Sequence, residues 1–374
     1  MVINYYNNEK LCSKMNVDIH SKVLSVENYT ENVLETAFGV ITSPTWEDFM
    51  EFLEDRCFPR NRQNLKLELK GLGLDEYDPL KICLATNGRN YKDSARMRFE
   101  EENEGEYEDY KNGSPYVANH TVSDGAQRKI FKLSENAWYK QDYLGTEGLS
   151  EYAVSQLLAL SGVPYVSYLP SRFYMINKEV VGVKSENFLT EGESLISVHR
   201  LLKKKFGFDI EKAIVPMDIE EKIRFFVDKV IETTGYEDFG VYLTNMLQLD
   251  AVTKNDDRHF NNISFIMGKN GKFRPAPIYD NGGAFLSDQY TYGYNLSYEQ
   301  TISSMDKVKA KPFSADFDEQ LDACEKLYPS TLHLQKDLQL DEKLLDMYDI
   351  RDIEKVYIIL RQSQRKYRYL FSDR

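Results

Sequence analysis

A polar loop, a short hairpin and an aspartate succeed one another between residues 255 and 283, and this order constrains the chain more than any other feature. The loop reads Asn255-Asp256-Asp257-Arg258-His259-Phe260-Asn261-Asn262 and follows an apolar run of helical spacing that ends near Thr253. Two strand-like runs come next, Ile263 to Met267 and Phe273 to Ile278. They flank Gly268-Lys269-Asn270-Gly271, a strong turn signal. Then comes Tyr279-Asp280-Asn281-Gly282-Gly283. A hairpin brings its ends together, so Asp257, Asn262 and Asp280 are expected to converge.

Taken as a set, these three residues suit phosphoryl transfer. That reaction is mostly positioning and charge neutralisation. Mg²⁺ supplies the neutralisation and takes hard oxygen ligands, one or two of them from protein. The amide oxygen of Asn262 and the carboxylate of Asp280 fit that task. A carboxylate off the metal, Asp257, orients an acceptor hydroxyl and takes its proton. An Asp, an Asn five positions on, a hairpin and an Asp-x-Gly is the protein-kinase order. Asp, Asn and Gly are also common turn residues, and Asp257 or Asn262 alone reads as a turn cap. The ordered set is what points to chemistry. His259 reads as a core histidine bonded to the loop backbone, and Arg258 as partner to a carboxylate of the same loop.

Two upstream stretches complete an ATP site. Thr121-Val122-Ser123-Asp124-Gly125-Ala126-Gln127-Arg128-Lys129 lies between strand-like runs, and a glycine turn of this kind can cover phosphates with its backbone N–H groups. A plain hairpin turn is the simpler reading of it. Lys140, in Trp138-Tyr139-Lys140, stands on the following strand and can reach the α and β phosphates. It needs a carboxylate on the next helix, where Glu147 and Glu151 lie. Lys132 competes for the same role.

Bulk properties narrow the class. The chain has 374 residues, 42% of them hydrophobic and 29% charged, which is ample for a sizeable core. A net charge of -13 argues against general affinity for nucleic acid or anionic membranes. Cys12, Cys57, Cys83 and Cys324 form no CxxC pair and suggest neither a zinc site nor a disulfide framework. No run approaches the length of a membrane span. These features fit a soluble cytoplasmic protein. Helices are expected from Asp48 to Arg56, Gly148 to Leu160, Ile219 to Thr233, Phe239 to Thr253, Ala315 to Leu327 and Arg351 to Phe371. Strands are expected within 1–43, over Tyr116 to Val122, Lys129 to Leu133 and Ala137 to Gln141, and within 165–188. Six glutamates between Glu100 and Glu108 mark a solvated boundary. The expected order is an α/β extension over 1–110, a small β-rich unit over 111–192 and a larger, mainly helical unit over 193–374.

These residues carry a resemblance to a family. Asp257-Arg258-His259-x-x-Asn262, the step to Tyr279-Asp280, Gly125-Ala126-Gln127-x-Lys129, Glu151-Tyr152 and Glu186-Asn187-Phe188 resemble the HipA-like serine/threonine kinases, toxin or effector kinases of bacterial HipBA-type modules. The match covers roughly residues 115 to 371. It implies an α+β, bilobal protein-kinase-like fold with a small β-rich lobe holding one key helix, a larger helical lobe, and an N-terminal α/β extension. It implies ATP and Mg²⁺ as cofactors and transfer of the γ-phosphate to Ser or Thr hydroxyls of a protein, with a translation component and the kinase itself among the targets. Asp257 is then the base, Asn262 and Asp280 the metal ligands, and Lys140 with Glu151 the phosphate-contacting pair. Gly125, Ala126 and Gln127 form the phosphate loop, and Glu186 to Phe188 the hinge whose backbone meets adenine. Ser123 and Thr121 match the hydroxyls that family members autophosphorylate. The implied partners are a protein substrate and an antitoxin or DNA-binding protein, without direct nucleic-acid or membrane binding. Three positions depart from the family pattern: Asn-Gly-Gly follows Asp280, Asn261 stands where lysine is common, and Asp124 precedes Gly125. The competing functions are a lipid or small-molecule kinase of related fold and a nucleotide-binding pseudokinase acting as a binding module.

Overall fold

The computed structural model describes residues 1–100, 121–175 and 178–372. The boundary expected in the acidic stretch, and residues 116–120 of the expected strand, lie outside these residues. The chain forms two compact units. One holds Met1–Arg128, Leu189–Ile210 and Ile266–Lys272, and the other holds Lys129–Phe188, Glu211–Phe265 and Phe273–Arg374.

The first unit opens with strands β1 (Val2–Asn7), β2 (Lys10–Asp18) and β3 (Val23–Asn28). With β4 (Ala95–Phe99) they form an antiparallel sheet in the order β3-β2-β1-β4. Alternation puts Ile3, Tyr5, Met15, Val17 and Met97 in the core. Helix α1 (Trp46–Glu54) starts at a capping box between Thr45 and Asp48 and buries Phe49, Phe52 and Leu53. Helices α2 (Leu65–Gly71) and α3 (Pro79–Thr86) follow, α3 capped by Asp78 with proline in its first turn. Neither α3 nor β4 was among the expected elements. Beneath them Arg56 is fully buried, paired with Asp93 at 2.5 Å and donating to the carbonyls of Gly88 and Ala95. Such a charge is tolerated because its donors are met.

The second unit begins with β5 (Lys129–Lys132) and β6 (Ala137–Gln141). Helix α4 (Glu147–Leu158) comes next, then β7 (Tyr168–Met175) and β8 (Lys178–Glu186). The four strands form an antiparallel sheet in the order β5-β6-β8-β7, with α4 packed on β7 and β8. Leu149, Ala153, Val154, Leu157 and Leu158 of α4 are buried. The remainder is mainly helical: Ile219–Thr234, Phe239–Thr253, Phe317–Leu327 and Ile350–Lys366. The last helix stops before Phe371 because Tyr367 leaves helical geometry to bury its ring and bond Asp318. Helix Phe239–Thr253 is buried nearly all round. It ends at Lys254, whose left-handed conformation turns the chain into the polar loop. The hairpin follows as Ser264–Met267 and Phe273–Pro275. The fold is thus mixed α+β, with sheets early in the chain and helices late. No helix among the described residues is long and apolar enough to cross a membrane.

Candidate active site

Lys140 lies on β6, flanked in register by Lys129 of β5 and Val183 of β8. Its side chain is 7% exposed, and Nζ meets Glu151 Oε1 at 2.7 Å and Asp280 Oδ1 at 2.9 Å. The Tyr168 hydroxyl stands 3.3 Å from the same nitrogen. The other Glu151 oxygen accepts the backbone N–H of Asn281 at 2.9 Å. Glu151 therefore holds the strand lysine and the segment behind Asp280 at once. Glu147, the other candidate partner, instead accepts the N–H groups of Tyr143, Leu144 and Gly145 at the start of its helix. Lys132 points elsewhere, pairing with Glu135 at 3.4 Å and lying over the Tyr139 ring.

The electrostatics follow from this packing. Burial works to lower the Lys140 pKa, but the carboxylates of Asp280 and Glu151 outweigh it and raise it well above the usual lysine range. Burial likewise works to raise Asp280. Lys140, then Lys129, prevail and hold its carboxyl well below the usual range. Asp280 stays ionised far into acid, so the ion pair is present across neutral pH.

The loop is tied to the same place by Arg258, which is fully buried. Its guanidinium pairs with both oxygens of Asp250, at 2.9 and 3.1 Å. It also donates to the carbonyls of Asn262 (3.1 Å) and Tyr279 (3.3 Å) and to Asn281 Oδ1 (2.6 Å). Its carboxylate partner comes from the preceding helix rather than from the loop, a correction to the sequence expectation. One buried cation thus joins the end of the loop to the residues on either side of Asp280. Asp280 itself has φ +59°, an uncommon conformation outside glycine that the surrounding bonds maintain.

Asp257 is 54% exposed, open to an incoming hydroxyl. Its backbone carbonyl accepts Asn262 Nδ2 at 2.8 Å. Around Asp257 Oδ1 stand Lys311 Nζ at 3.6 Å and His259 Nε2 at 3.8 Å. His259 is 38% exposed, not the core histidine expected, and its Nδ1 is buried without a partner. Next to Asp257, Asp256 accepts the Tyr292 hydroxyl. Burial raises the Asp256 carboxyl, against that hydrogen bond. Among the described residues no group of three or more His, Cys, Asp or Glu side chains is placed to hold a metal ion by itself. A Mg²⁺ ion here would take the Asn262 amide oxygen and the Asp280 carboxylate, which is 28% exposed, with phosphate and water completing its shell. The donor set fits that ion.

Phe188, in the segment expected to serve as hinge, stacks obliquely on Tyr279 at 5.7 Å between centroids. Glu186 pairs with Ala137 at the end of β8 and is exposed. The candidate phosphate loop belongs to the first compact unit. There Gly125 has φ +85°, where glycine is favoured. Arg62 Nη1 donates to the carbonyls of Gly125 and Gln127, each at 2.8 Å. Arg62 Nη2 donates to the Ser123 hydroxyl at 2.8 Å. The Ala126 carbonyl accepts the Gln63 N–H. Asp124 turns to Asn90 and Lys92, at 2.6 and 2.9 Å. Ser123 is buried and Thr121 half-buried. Sequence reasoning did not find Arg62 or Lys311, and no periodicity or motif marks either one.

A buried strand lysine paired to a helix glutamate, ahead of a helical part bearing an acidic loop and hairpin, defines a protein-kinase-like fold. More particularly, the fold is that of HipA-type kinases. The chain is similar to HipA of Shewanella oneidensis MR-1, solved with HipB and its operator DNA, at 13% identity over 97% of both chains with a TM-score of 0.53. It is also similar to the proinflammatory kinase CtkA of Helicobacter pylori, at 16% identity over 65% of this chain and 92% of that one, TM-score 0.42. The first of these carries the fold assignment, and at such identity the likeness is one of fold. No protein-family model and no curated protein sequence matches the chain.

Proposed function

We propose that the chain is an ATP-dependent protein kinase that phosphorylates Ser or Thr hydroxyls. The observation that carries this reading is the Lys140–Glu151–Asp280 cluster, its lysine and glutamate buried, joined through Asn281 and Arg258 to the loop bearing Asp257 and Asn262. A fold alone does not specify a reaction. A buried lysine held between two carboxylates beside an exposed third is a charge arrangement suited to ATP.

In this reading Lys140 binds the α and β phosphates, and Glu151 keeps it aimed. Asn262 and Asp280 would hold Mg²⁺, which when bound would neutralise phosphate charge. Asp257 accepts the proton of the acceptor hydroxyl as it attacks the γ-phosphorus, and ADP leaves. Gly125, Ala126 and Gln127 cover the phosphates, and the backbone at Glu186 to Phe188 meets adenine. Residues 111–192 and 193–374 supply the two halves of the kinase, with 1–110 as an extension. Ser123, with Thr121 second, is the candidate autophosphorylation site. The HipA of similar fold was solved with HipB and DNA. By analogy we propose a protein partner of antitoxin type for this chain and a cytoplasmic setting.

The test is transfer of labelled γ-phosphate in the presence of Mg²⁺. Wild type labels itself or a protein acceptor, and Asp257→Asn does not, with an unchanged circular dichroism spectrum. Full transfer by Asp257→Asn would overturn the base assignment. Label in a lipid extract rather than in protein would overturn the acceptor class.

A further inference from the structure

The cations of the site are unevenly committed. Lys140 is held by Glu151 and Asp280 and, in the reading above, serves the α and β phosphates, while Arg258 is sealed between Asp250 and backbone carbonyls. The position ahead of the metal asparagine is the neutral Asn261. Transfer nevertheless spreads negative charge over the three equatorial oxygens of the moving phosphoryl group, beside the Asp256–Asp257 carboxylate pair. Preorganised positive charge at that point is where catalytic stabilisation is largest.

Lys311 supplies such a charge. Its Nζ lies 3.6 Å from Asp257 Oδ1, and its side chain is 48% exposed, so it is free to meet a phosphate on the open side. Its backbone is well anchored. Gln320, fully buried, donates to the Lys311 carbonyl at 3.0 Å and accepts the Phe313 N–H at 3.0 Å. The Ala310 N–H bonds the Ala315 carbonyl at 2.9 Å. Phe313 packs at 5.6 Å on Phe260 of the Asp257 loop, and both pack on Phe226. The segment carrying Lys311 and the loop carrying Asp257 therefore share one aromatic cluster. An isolated surface ion pair between half-exposed groups contributes little to stability. So much anchoring around one half-exposed lysine has its use in placing a charge.

We infer that Lys311 is a catalytic residue that contacts the γ-phosphoryl group during transfer, supplying from a distant segment the positive charge that the Asp257 loop lacks. The inference rests on the kinase reading above. Asp257 holds the lysine in place before nucleotide arrives. The lysine then bridges Asp257 and a γ-phosphate oxygen while the bond to the ADP oxygen breaks. No proton leaves Lys311.

The experiment compares the full chain with Lys311→Met, Lys311→Arg and, as an exposed control, Lys307→Met. Two readouts are taken: steady-state transfer, and calorimetric affinity for Mg²⁺ with ADP against Mg²⁺ with a non-hydrolysable ATP analogue. In Lys311→Met, kcat falls about 10- to 100-fold with KM for ATP within about threefold. The preference for the ATP analogue over ADP disappears while ADP affinity stays. Lys311→Arg recovers part of kcat, and Lys307→Met matches wild type. Three outcomes overturn the inference. If wild type binds nucleotide and Lys311→Met keeps both kcat and the ATP-over-ADP preference, Lys311 has no such role and the kinase reading stands. If only the KM for the protein acceptor rises, Lys311 recognises the acceptor instead. If wild type binds neither nucleotide, the kinase reading falls and this inference with it.

Discussion

Gly283 lies so close to Asp257 that a β-carbon on it would stand 2.9 Å from the Asp257 Cβ. The same atom would also meet Asn255 Oδ1 at 2.9 Å and Asp256 Oδ1 at 3.1 Å. The Asn-Gly-Gly that follows Asp280 therefore lets two backbone segments approach, and Asn281 contributes its own bonds to Arg258 and Glu151. Gly283→Ala is expected to displace Asp257, lowering phosphate transfer by about tenfold or more. It is also expected to destabilise the protein by about 1–3 kcal/mol through overpacking. At Gly282 the added carbon would meet only Glu147 side-chain atoms, at 3.3 Å and beyond. Gly282→Ala should be milder in a parallel assay. Equal activity in both variants would show that the close approach has no functional role.

The two candidate lysines separate by stability as well as by activity. Removing Lys140 leaves the 1% exposed Glu151 carboxylate without its cation. Lys140→Met is expected to cost about 3–5 kcal/mol in urea unfolding, the penalty of an uncompensated buried charge. Lys132 and its partner Glu135 are 40% and 36% exposed. Lys132→Ala should stay within about 0.5 kcal/mol of wild type. Nucleotide affinity should fall in the first variant only.

Much of this site was legible in the sequence because it is assembled locally. The order of loop, hairpin and returning segment is read directly from turn residues, Arg258 then ties the end of the loop to the residues flanking Asp280, and Lys140 and Glu151 sit on consecutive elements. Helix Phe239–Thr253 was legible to the residue because its apolar run ends where the polar loop starts. What escaped depends on contacts between segments distant in sequence. Arg62 and Lys311 carry no periodicity and belong to no motif, and only packing brings them to their partners. Arg258 was visible as a polar residue on the edge of a core. Its many acceptors were not, since three separate stretches, at Asp250, Asn262 and Tyr279 to Asn281, supply them. Helix α3 carried the signature of Asp at its cap and proline in its first turn, but the segment is short and weakly patterned.

Arg62 organises the glycine turn from within its own unit. Its hydrogen bonds to the Gly125 and Gln127 carbonyls and to Ser123 fix the loop at several points. Burial pushes the Arg62 pKa down to about 10, against the pull of Glu68, so the group remains charged at neutral pH. Arg62→Ala is expected to speed amide exchange at Gly125 to Arg128 and cost about 1–3 kcal/mol in stability. Unchanged exchange in the loop would show that its conformation is held by something else.

The first unit also carries a buried lysine that should make its stability depend on pH. Lys204 donates to the carbonyls of Leu34 (3.0 Å) and Thr36 (2.6 Å) and is 8% exposed. Burial first, then repulsion from Arg200, lowers its pKa to about 7, with Asp93 and Asp55 opposing and Arg56 adding to the repulsion. In the unfolded chain the same group titrates near 10.4. Between these two values the unfolded state binds more protons than the folded one, so stability rises with pH across that window. The charged form imposes its full cost below about pH 7, and the cost is relieved as pH climbs toward 10. The expected gain is on the order of a few kcal/mol. Lys204→Met removes the titrating group. Urea midpoints of wild type and variant at pH 7 and pH 9.5 should therefore differ in slope, wild type gaining with pH relative to the variant. Parallel behaviour of the two proteins would mean that Lys204 keeps its proton in the fold, held by the carbonyls of Leu34 and Thr36.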